Sequence, residues 1–255
     1  MVGRRSALLL LLLPLLGSSS CASNATPRAP GPAAREYFPL QRGAHWTYEL
    51  RTGFFSGRTR MDVTARGEHA VRDSDERVFL MEEQLSGRVY GLEPTGLVGY
   101  RIADGYVTRI AAVALGEDGQ VSIFGGEGMA FLPVDPKPGQ RWSDRAEIFR
   151  ESGSSGQAWT AEVEFVGRVR VPAGSFDDVI VVRSQQWDPE WDAHKPLHSY
   201  EDYYARGVGL IRSVSHNNAR WFWMSVEQVL VAFSFEADPL PNAEREAGPS
   251  KRSAQ

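Results

Sequence analysis

The amino-acid sequence predicts a mainly β protein, built as an antiparallel curved sheet that forms a half-barrel or a barrel-like structure. Apolar and polar residues alternate with a period of two in segments such as 61–67 and 161–171, which is typical of strands with one buried and one wet face. Clusters rich in glycine and serine, such as 51–57 and 151–157, separate the apolar segments as hairpin turns do. Only residues 109–119 allow a short helix, and their pattern favours a strand there too.

Residues 1–20 are predicted to be a signal peptide. Arg4 and Arg5 precede an apolar stretch at 7–16, and small residues follow at 17–20. A helix needs about 20 apolar residues to cross the hydrocarbon core of a bilayer, so this stretch is too short to span it. The order of positive, apolar and small residues is that of a secretory leader.

Cys21, the only cysteine of the chain, directly follows these small residues. The run resembles a bacterial lipobox, in which the cysteine is acylated and the chain is cut just before it. Ser18 departs from that pattern, since lipoboxes prefer leucine there. Cleavage near Ala22 or Ala25, which would discard Cys21, is the alternative. Because Ala22 is not the acidic residue that often retains lipoproteins at the inner membrane, the resemblance implies an outer-membrane protein facing the periplasm or the surface.

The rest of the chain divides into a tether, a domain and a tail. Residues 21–36 are rich in alanine and proline and form a predicted extended tether. Residues 37–238 form the β domain, which has no cysteine for a disulfide and must rely on its apolar core. Residues 239–255 are a predicted disordered tail. Removal of the leader takes the net charge from −4 to −6, which argues against nucleic-acid binding.

Two similar segments suggest an internal duplication, with halves at 37–130 and 131–236. Gly43 and Trp46 share a Gly-x-x-Trp spacing with Gly139 and Trp142. Part of the similarity could also arise from β patterning alone. Two related curved sheets would cover edges that each would otherwise expose.

Other prominent residues have structural explanations. In the segment 171–176, Pro172 presets a turn, Gly174 permits a positive φ, and Phe176 pins the turn to the sheet. After Tyr204, the glycines of the next segment fit a bulged hairpin. These are Gly207 and Gly209.

Four stretches resemble a broad group of uncharacterised bacterial exported proteins, many of them lipoproteins: 37–50, 171–185, 203–214 and the second Gly-x-x-Trp segment. The resemblance covers about 200 residues from Tyr37 onward. It implies a β-rich domain of the cell envelope, similar in fold to the half-barrels of lipoprotein-localisation factors, and no established activity.

Residues 187–204 form the richest polar stretch and contain the only histidine pair considered for a metal, His194 and His198. Pro196 disfavours the helical turn that would align them, and a long, solvated polar hairpin loop explains the stretch better than a metal site does, so no metal site is predicted. No nucleophile elbow or phosphate loop occurs, and we predict no catalytic residue and no cofactor.

The sequence therefore predicts a non-catalytic envelope lipoprotein, attached to the membrane by a lipid anchor, that binds an apolar ligand, a lipid or a protein partner. A structural or assembly role in the envelope is one alternative. A hydrolase that uses the 187–204 loop is the other.

Overall fold

The computed structural model describes residues 36–52, 58–86, 95–110, 113–123, 128–150, 153–188, 195–218 and 224–235. The predicted signal peptide, Cys21, most of the tether and the tail lie outside these ranges. The described strands are Ala44–Thr52 (β1), Arg58–Ala70 (β2), Arg77–Leu85 (β3), Thr95–Ala103 (β4), Tyr106–Ile110 (β5), Val113–Leu115 (β6), Val121–Ile123 (β7), Met129–Pro133 (β8), Arg141–Arg150 (β9), Gly153–Val171 (β10), Gly174–Trp187 (β11), His198–Ala205 (β12), Gly209–Asn217 (β13) and Met224–Phe235 (β14).

Twelve of these strands form one antiparallel sheet in the order β8-β5-β4-β3-β2-β1-β14-β13-β12-β11-β10-β9. The order consists of two six-stranded meanders, which join where β1 pairs with β14. The two end strands, β8 and β9, lie side by side, so the sheet curls into a nearly closed barrel. The predicted fold class is confirmed.

The two Gly-x-x-Trp segments begin the two meanders in the same way. Gly43 and Gly139 both have positive φ angles, 81° and 78°. Their amides donate to the carbonyl oxygens of Ala65 on β2 (2.9 Å) and of Val163 on β10 (2.7 Å), so each bonds to the second strand of its own meander. Glycine is favoured at both positions because side chains are strained at such φ values.

The two tryptophans then occupy equivalent positions near the starts of β1 and β9, and both face the barrel interior. Each indole N–H donates to a backbone carbonyl, from Trp46 to Val208 (2.8 Å) and from Trp142 to Ala130 (2.9 Å). This correspondence is what a duplication would produce, and the duplication itself stays a prediction. The predicted boundary between residues 130 and 131 falls within β8, whereas the two meanders divide between β8 and β9.

The main core lies inside the barrel, because alternate residues of each strand point inward. β3 is apolar over several consecutive residues because both of its faces are covered. Phe79 and Met81 belong to the interior core, whereas Val78 and Leu80 pack outside the barrel in a second cluster with Ile110 and Val121. The β6–β7 hairpin covers this second cluster.

Two sequence expectations need correction. The period-2 pattern places Phe165 on a buried face with Val163, but Phe165 is 50% exposed. Phe165 keeps the register of Val163, since it pairs with Ile180 of β11, but the pairing of β9 with β10 ends at Glu162. β10 is therefore an edge strand at Phe165, and no strand in the described part of the chain covers that side of the ring.

The polar stretch 187–204 is not one long loop. β11 extends to Trp187 and β12 begins at His198, so most of the stretch after Lys195 belongs to the sheet. Residues 198–204 form a strand because aromatic and other inward-facing side chains alternate with outward-facing polar ones, so every second side chain points into the barrel. Residues 189–194 lie outside the described residues.

Candidate functional site

The interior of the barrel, which we call the lumen, differs between its two ends. We name the end where β1 begins the closed end and the end where β1 finishes the open end. Residues 36–43 pack across the closed end, where Phe38 places its ring 4.9 Å from that of Tyr100 and 5.2 Å from that of Phe131. The Tyr37 hydroxyl donates to the carbonyl oxygen of Asp178 at 3.1 Å. The segment that follows the tether therefore seals this end with aromatic side chains.

The β12–β13 turn also packs against the closed end. Tyr204 is buried, and Gly207 donates its amide to the carbonyl oxygen of Glu36. Gly209 has a φ of 95°, and a Cβ there would lie 3.2 Å from the Pro39 Cδ, so both the backbone angle and the close packing disfavour a side chain. At Gly207 (φ 74°) the surrounding space is open and only the backbone angle favours glycine.

The β10–β11 turn reaches across the same end of the barrel. Pro172 lies in this turn, and Ala173 donates its amide to the carbonyl oxygen of Leu230 on β14 at 3.1 Å. Gly174 has a φ of 147°, and the Phe176 ring lies 6.0 Å from that of Phe233. The turn motif thus fixes one hairpin against β14.

Towards the open end the lumen wall becomes polar. Trp159 of β10 and Ser184 of β11 both face inward and are 7% and 2% exposed. The Trp159 Nε1 and the Ser184 Oγ are buried and have no hydrogen-bond partner. The Tyr200 ring of β12 lies 5.4 Å from that of Trp159, and Tyr200 is the cross-strand neighbour of Ser184. Two unpaired buried polar groups thus share one patch of wall.

Three charged side chains project into the same part of the lumen from different strands: Glu83 of β3, Arg109 of β5 and Asp202 of β12. Arg109 is exposed although it points into the barrel, so there is open space around it. Within the described part of the chain its guanidinium forms no salt bridge. Partial loss of solvent inside the barrel lowers the pKa of Arg109, but the surrounding tyrosines and carboxylates outweigh this and raise the pKa overall.

Burial raises the pKa of Asp202 to about 6. Two neighbours oppose this effect: the Ser213 hydroxyl, which donates to Asp202 Oδ1 at 2.5 Å, and the positive charge of Arg109. Burial also lowers the pKa of His198, which faces the lumen from the start of β12. The lumen therefore contains a carboxyl group whose pKa is raised to about 6.

The junction between β8 and β9 is the one place in the described sheet where adjacent strands lack a backbone ladder. Two side chains of β9 bridge it. The Trp142 Nε1 donates to the Ala130 carbonyl oxygen at 2.9 Å, and the Asp144 Oδ2 accepts from the Ala130 amide at 2.9 Å. The Tyr106 ring packs 5.6 Å from that of Trp142. We call this junction the seam.

The outer face of β9–β13 contains a shallow trough of about 720 Å³. Its charged side chains bind one another, as in the pairs Arg141–Glu162 (3.0 Å) and Arg183–Glu201 (3.2 Å). Charges that are already paired at an exposed surface offer little to a ligand. The lumen is therefore the stronger candidate site.

The predicted histidine pair and the lipidation site are not brought together with these groups. His194 and Cys21 lie outside the described residues. In the described part of the chain, no three histidine, cysteine, aspartate or glutamate side chains converge as metal ligands. No helix there is long and apolar enough to cross a bilayer.

No protein-family model matches the chain, and no curated protein matches it. Solved structures do match. One is a provisionally assigned lipoprotein from Parabacteroides distasonis, with 11% identity, a TM-score of 0.46, and coverage of 78% of this chain and 98% of the other. A provisionally assigned exported protein with a YmcC-like fold from Bacteroides fragilis has 15% identity, a TM-score of 0.39, and coverage of 78% and 99%. A β-barrel-like protein of unknown function from Brucella abortus has 11% identity, a TM-score of 0.36, and coverage of 77% and 100%.

Sequence reasoning missed the polar wall of the lumen. It noted Asp202 only as part of a solvated polar stretch, and it gave no role to Trp159, Ser184 or Arg109. The alternation of His198, Tyr200, Asp202 and Tyr204 was a usable signal for a strand that turns one acidic side chain inward. No local signal distinguishes Ser184 from an exposed serine.

Proposed function

We propose that this protein is an exported, non-catalytic lipoprotein of the bacterial envelope, and that its barrel binds an amphipathic ligand in the lumen. The apolar part of the ligand would lie over the core residues towards the closed end. Its polar part would lie at the open end, beside Trp159 and Ser184. Acylated Cys21 would hold the barrel at the membrane, and the identity of residue 22 favours the outer membrane.

The leader and Cys21 support the membrane anchor. The described chain starts at Glu36, at the closed end, so a tether from Cys21 would reach at most about 50 Å. The tether would then join the barrel at its closed end, and the open end would lie on the side away from the anchor. Stable attachment needs at least two acyl chains, which a fully processed lipoprotein carries.

One observation carries the ligand proposal: the Trp159 Nε1 and the Ser184 Oγ are buried, unpaired and adjacent on the lumen wall. Leaving a buried donor unpaired costs about 1–3 kcal/mol per group, and such groups are uncommon in folded proteins. A ligand with acceptor oxygens would satisfy both. The apolar residues deeper in the barrel, including Val163, Val182 and Leu230, suit an aliphatic portion of the same molecule.

Replacement of the anchor tests the localisation. We expect Cys21→Ser protein to leave the membrane fraction or to remain uncleaved, whereas Ser20→Ala protein should be processed and membrane-bound. Membrane fractionation with mass spectrometry of the N-terminus measures both properties. Correctly cleaved Cys21→Ser protein that stays on the membrane would contradict the anchor.

Displacement of the neutral probe 1-N-phenylnaphthylamine tests the ligand. We expect the mature chain, carrying Cys21→Ser to avoid detergent, to bind the probe and to release it when a long-chain amphiphile is added. Trp159→Phe should weaken amphiphile binding because it removes the indole donor and keeps an aromatic ring. Absence of probe and amphiphile binding in folded protein would refute the proposed function.

A second candidate, assembly with an envelope protein, rests on the end of β14. Pairing of β14 with β13 starts at Val229 and runs away from the closed end. Beyond the hydrogen bond from Ala173 to the Leu230 carbonyl oxygen, residues 231–235 form a backbone ladder only with β1 in the described sheet. Val231 and Phe233 on this edge are 39% and 36% exposed. An open edge of this kind can accept a strand from a partner. A charged substitution, Val231→Lys, that removes an envelope partner from a cross-linked complex without affecting probe binding would favour assembly.

The hydrolase alternative has a separate test. We expect no stoichiometric zinc, because Pro196 opposes convergence of His194 and His198. One equivalent of zinc that survives dialysis and is lost in His194→Ala would favour an enzyme instead.

A further inference from the structure

We propose that the lumen selects amphiphiles with an anionic head group, a carboxylate or a phosphate, and that Arg109, Trp159 and Ser184 are the groups that recognise it. This inference rests on the proposed function, because it specifies the polar end of the ligand that the lumen would bind. A cationic head group would leave the same donors unsatisfied, and an uncharged one would leave the positive charge of Arg109 without a counter-charge.

The unpaired groups of the lumen are mainly hydrogen-bond donors. An indole Nε1–H is a donor only, and so is every N–H of a guanidinium. The hydroxyl of Ser184 donates as well as accepts. The wall patch of Trp159 and Ser184 and the solvated Arg109 therefore all offer hydrogens, and their common complement is a head group rich in acceptor oxygens. Carboxylates and phosphates match arginine best, since they accept two parallel N–H bonds.

Arg109 points into the lumen from β5, near the tyrosines and the carboxyl group of the other strands. Arg109 and Tyr100 are cross-strand partners, and the charge of Arg109 acts on the phenol of Tyr200 and on the carboxyl of Asp202. Tyr200 packs against Trp159 on the opposite wall. Arg109 and the wall patch therefore face one lumen from the two meanders, and the head group of the proposed ligand would lie between them.

Glu83 and Asp202 oppose an anionic ligand, and this gives the inference a pH dependence. Asp202 changes charge near pH 6, whereas Arg109 stays positive, so binding of a permanent anion should tighten as the pH falls through that range. The ionisable groups that face Asp202 from the surrounding strands are Tyr48, Glu83, Tyr100, Arg109, His198, Tyr200 and Tyr204. Protonation of His198 at low pH acts in the same direction.

The experiment measures how strongly matched C12 compounds displace 1-N-phenylnaphthylamine from the mature Cys21→Ser protein: dodecanoate, dodecyl phosphate, 1-dodecanol and dodecylamine. One charge-assisted hydrogen bond corresponds to about a tenfold difference in affinity or more, so we expect both anions to bind at least about tenfold more tightly than the alcohol at pH 7.5. Arg109→Gln should reduce the difference between the anions and the alcohol to less than about threefold. Arg141→Gln, on the outer face, is the matched control.

Three further arms separate the outcomes. Dodecane-1-sulfonate keeps its charge, and we expect it to bind more tightly at pH 5.5 than at pH 7.5. Equal binding of all four C12 compounds, or a preference for dodecylamine, would overturn this inference and leave the proposed function intact. Binding of acetate or inorganic phosphate as tight as that of the C12 anions would show a site for free anions and overturn the amphipathic ligand. If Arg109→Gln fails to fold, as judged by circular dichroism, Trp159→Phe must show the same loss of anion preference, or the inference is wrong.

Discussion

Replacement of Ser184 by alanine should stabilise the ligand-free protein, although it removes a polar group from the middle of a strand. The Ser184 Oγ is buried and unpaired, so the folded state bears its desolvation cost without a compensating hydrogen bond. That desolvation cost is about 1–3 kcal/mol, and the void left by the missing oxygen atom destabilises the variant by up to about 1 kcal/mol. We therefore expect the free energy of unfolding to rise by about 1 kcal/mol, or the melting temperature by about 2–4 °C for a domain of this size.

Urea unfolding of delipidated protein at pH 7.5 measures the effect, and Ser213→Ala is the matched control. Ser213 also faces the lumen, but its hydroxyl donates to the buried Asp202 carboxylate at 2.5 Å. Its removal should lower the free energy of unfolding by about 1.5–3 kcal/mol. A loss of 1 kcal/mol or more in Ser184→Ala would show that its hydroxyl has a partner in the free protein and would remove the main support for the ligand site. The same variant should bind dodecanoate more weakly.

Three more predictions follow from the lumen, the seam and the closed end. Because the pKa of Asp202 is about 6 in the folded state, against an ordinary value of 3.8, the native state binds this proton more tightly than the unfolded state does. The contribution of this group to stability is therefore greatest below pH 4 and is lost, by roughly 3 kcal/mol, as the pH rises from about 4 to above 6. Asp202→Asn should flatten that pH dependence of the free energy of unfolding in urea titrations. At the seam, Asp144→Ala should speed hydrogen exchange of the Ala130 amide at least severalfold, whereas Arg145→Ala on the outer face should not; equal protection in both variants would contradict the bridging role. Gly209→Ala should lower the free energy of unfolding more than Gly207→Ala does. Both substitutions place a side chain at a positive φ, which costs about 1–2 kcal/mol, but only the one at Gly209 also brings a Cβ against Pro39. A reversed order of melting temperatures would contradict the packing of the closed end.

The sequence predicts the strands well because their signals are local. The alternation in β2, the continuous apolar run of β3 and the turn residues Gly43, Gly139 and Gly174 each depend on neighbours within a few positions. Phe165 and Asp202 show where this ends. The exposure of Phe165 depends on where β9 stops pairing, and the burial of Asp202 depends on which face of β12 turns inward once the barrel closes. The alternation around Asp202 indicates which strand face carries it, but the burial of either residue is decided by strands distant in the sequence.

The candidate site was harder to predict than the fold, because its residues come from strands far apart in the chain. Arg109 belongs to the first meander, whereas Trp159, Ser184 and Asp202 belong to the second, and only closure of the sheet brings them around one space. Taken singly, each resembles an ordinary strand residue.

Several departures from the usual rules of folding lie in the lumen. Within the described residues, an unpaired indole and an unpaired hydroxyl lie towards its open end, and an arginine without a salt bridge and a carboxyl group with a raised pKa face the same lumen. Two other buried atoms without a partner, the His69 Nε2 and the Arg101 Nε, lie on the outer face of the sheet. At the closed end, by contrast, the hydroxyl groups of Tyr37 and Tyr48 and the indole of Trp46 all have backbone partners. An apolar lumen lined throughout like the closed end would be more stable, since each of these groups costs free energy in the empty protein. Natural proteins concentrate such costs at functional sites, where a bound molecule recovers them. The contrast between the two ends therefore favours a lumen that is filled when the protein is at work, and it is the reason why stabilising variants such as Ser184→Ala should be the ones that bind poorly.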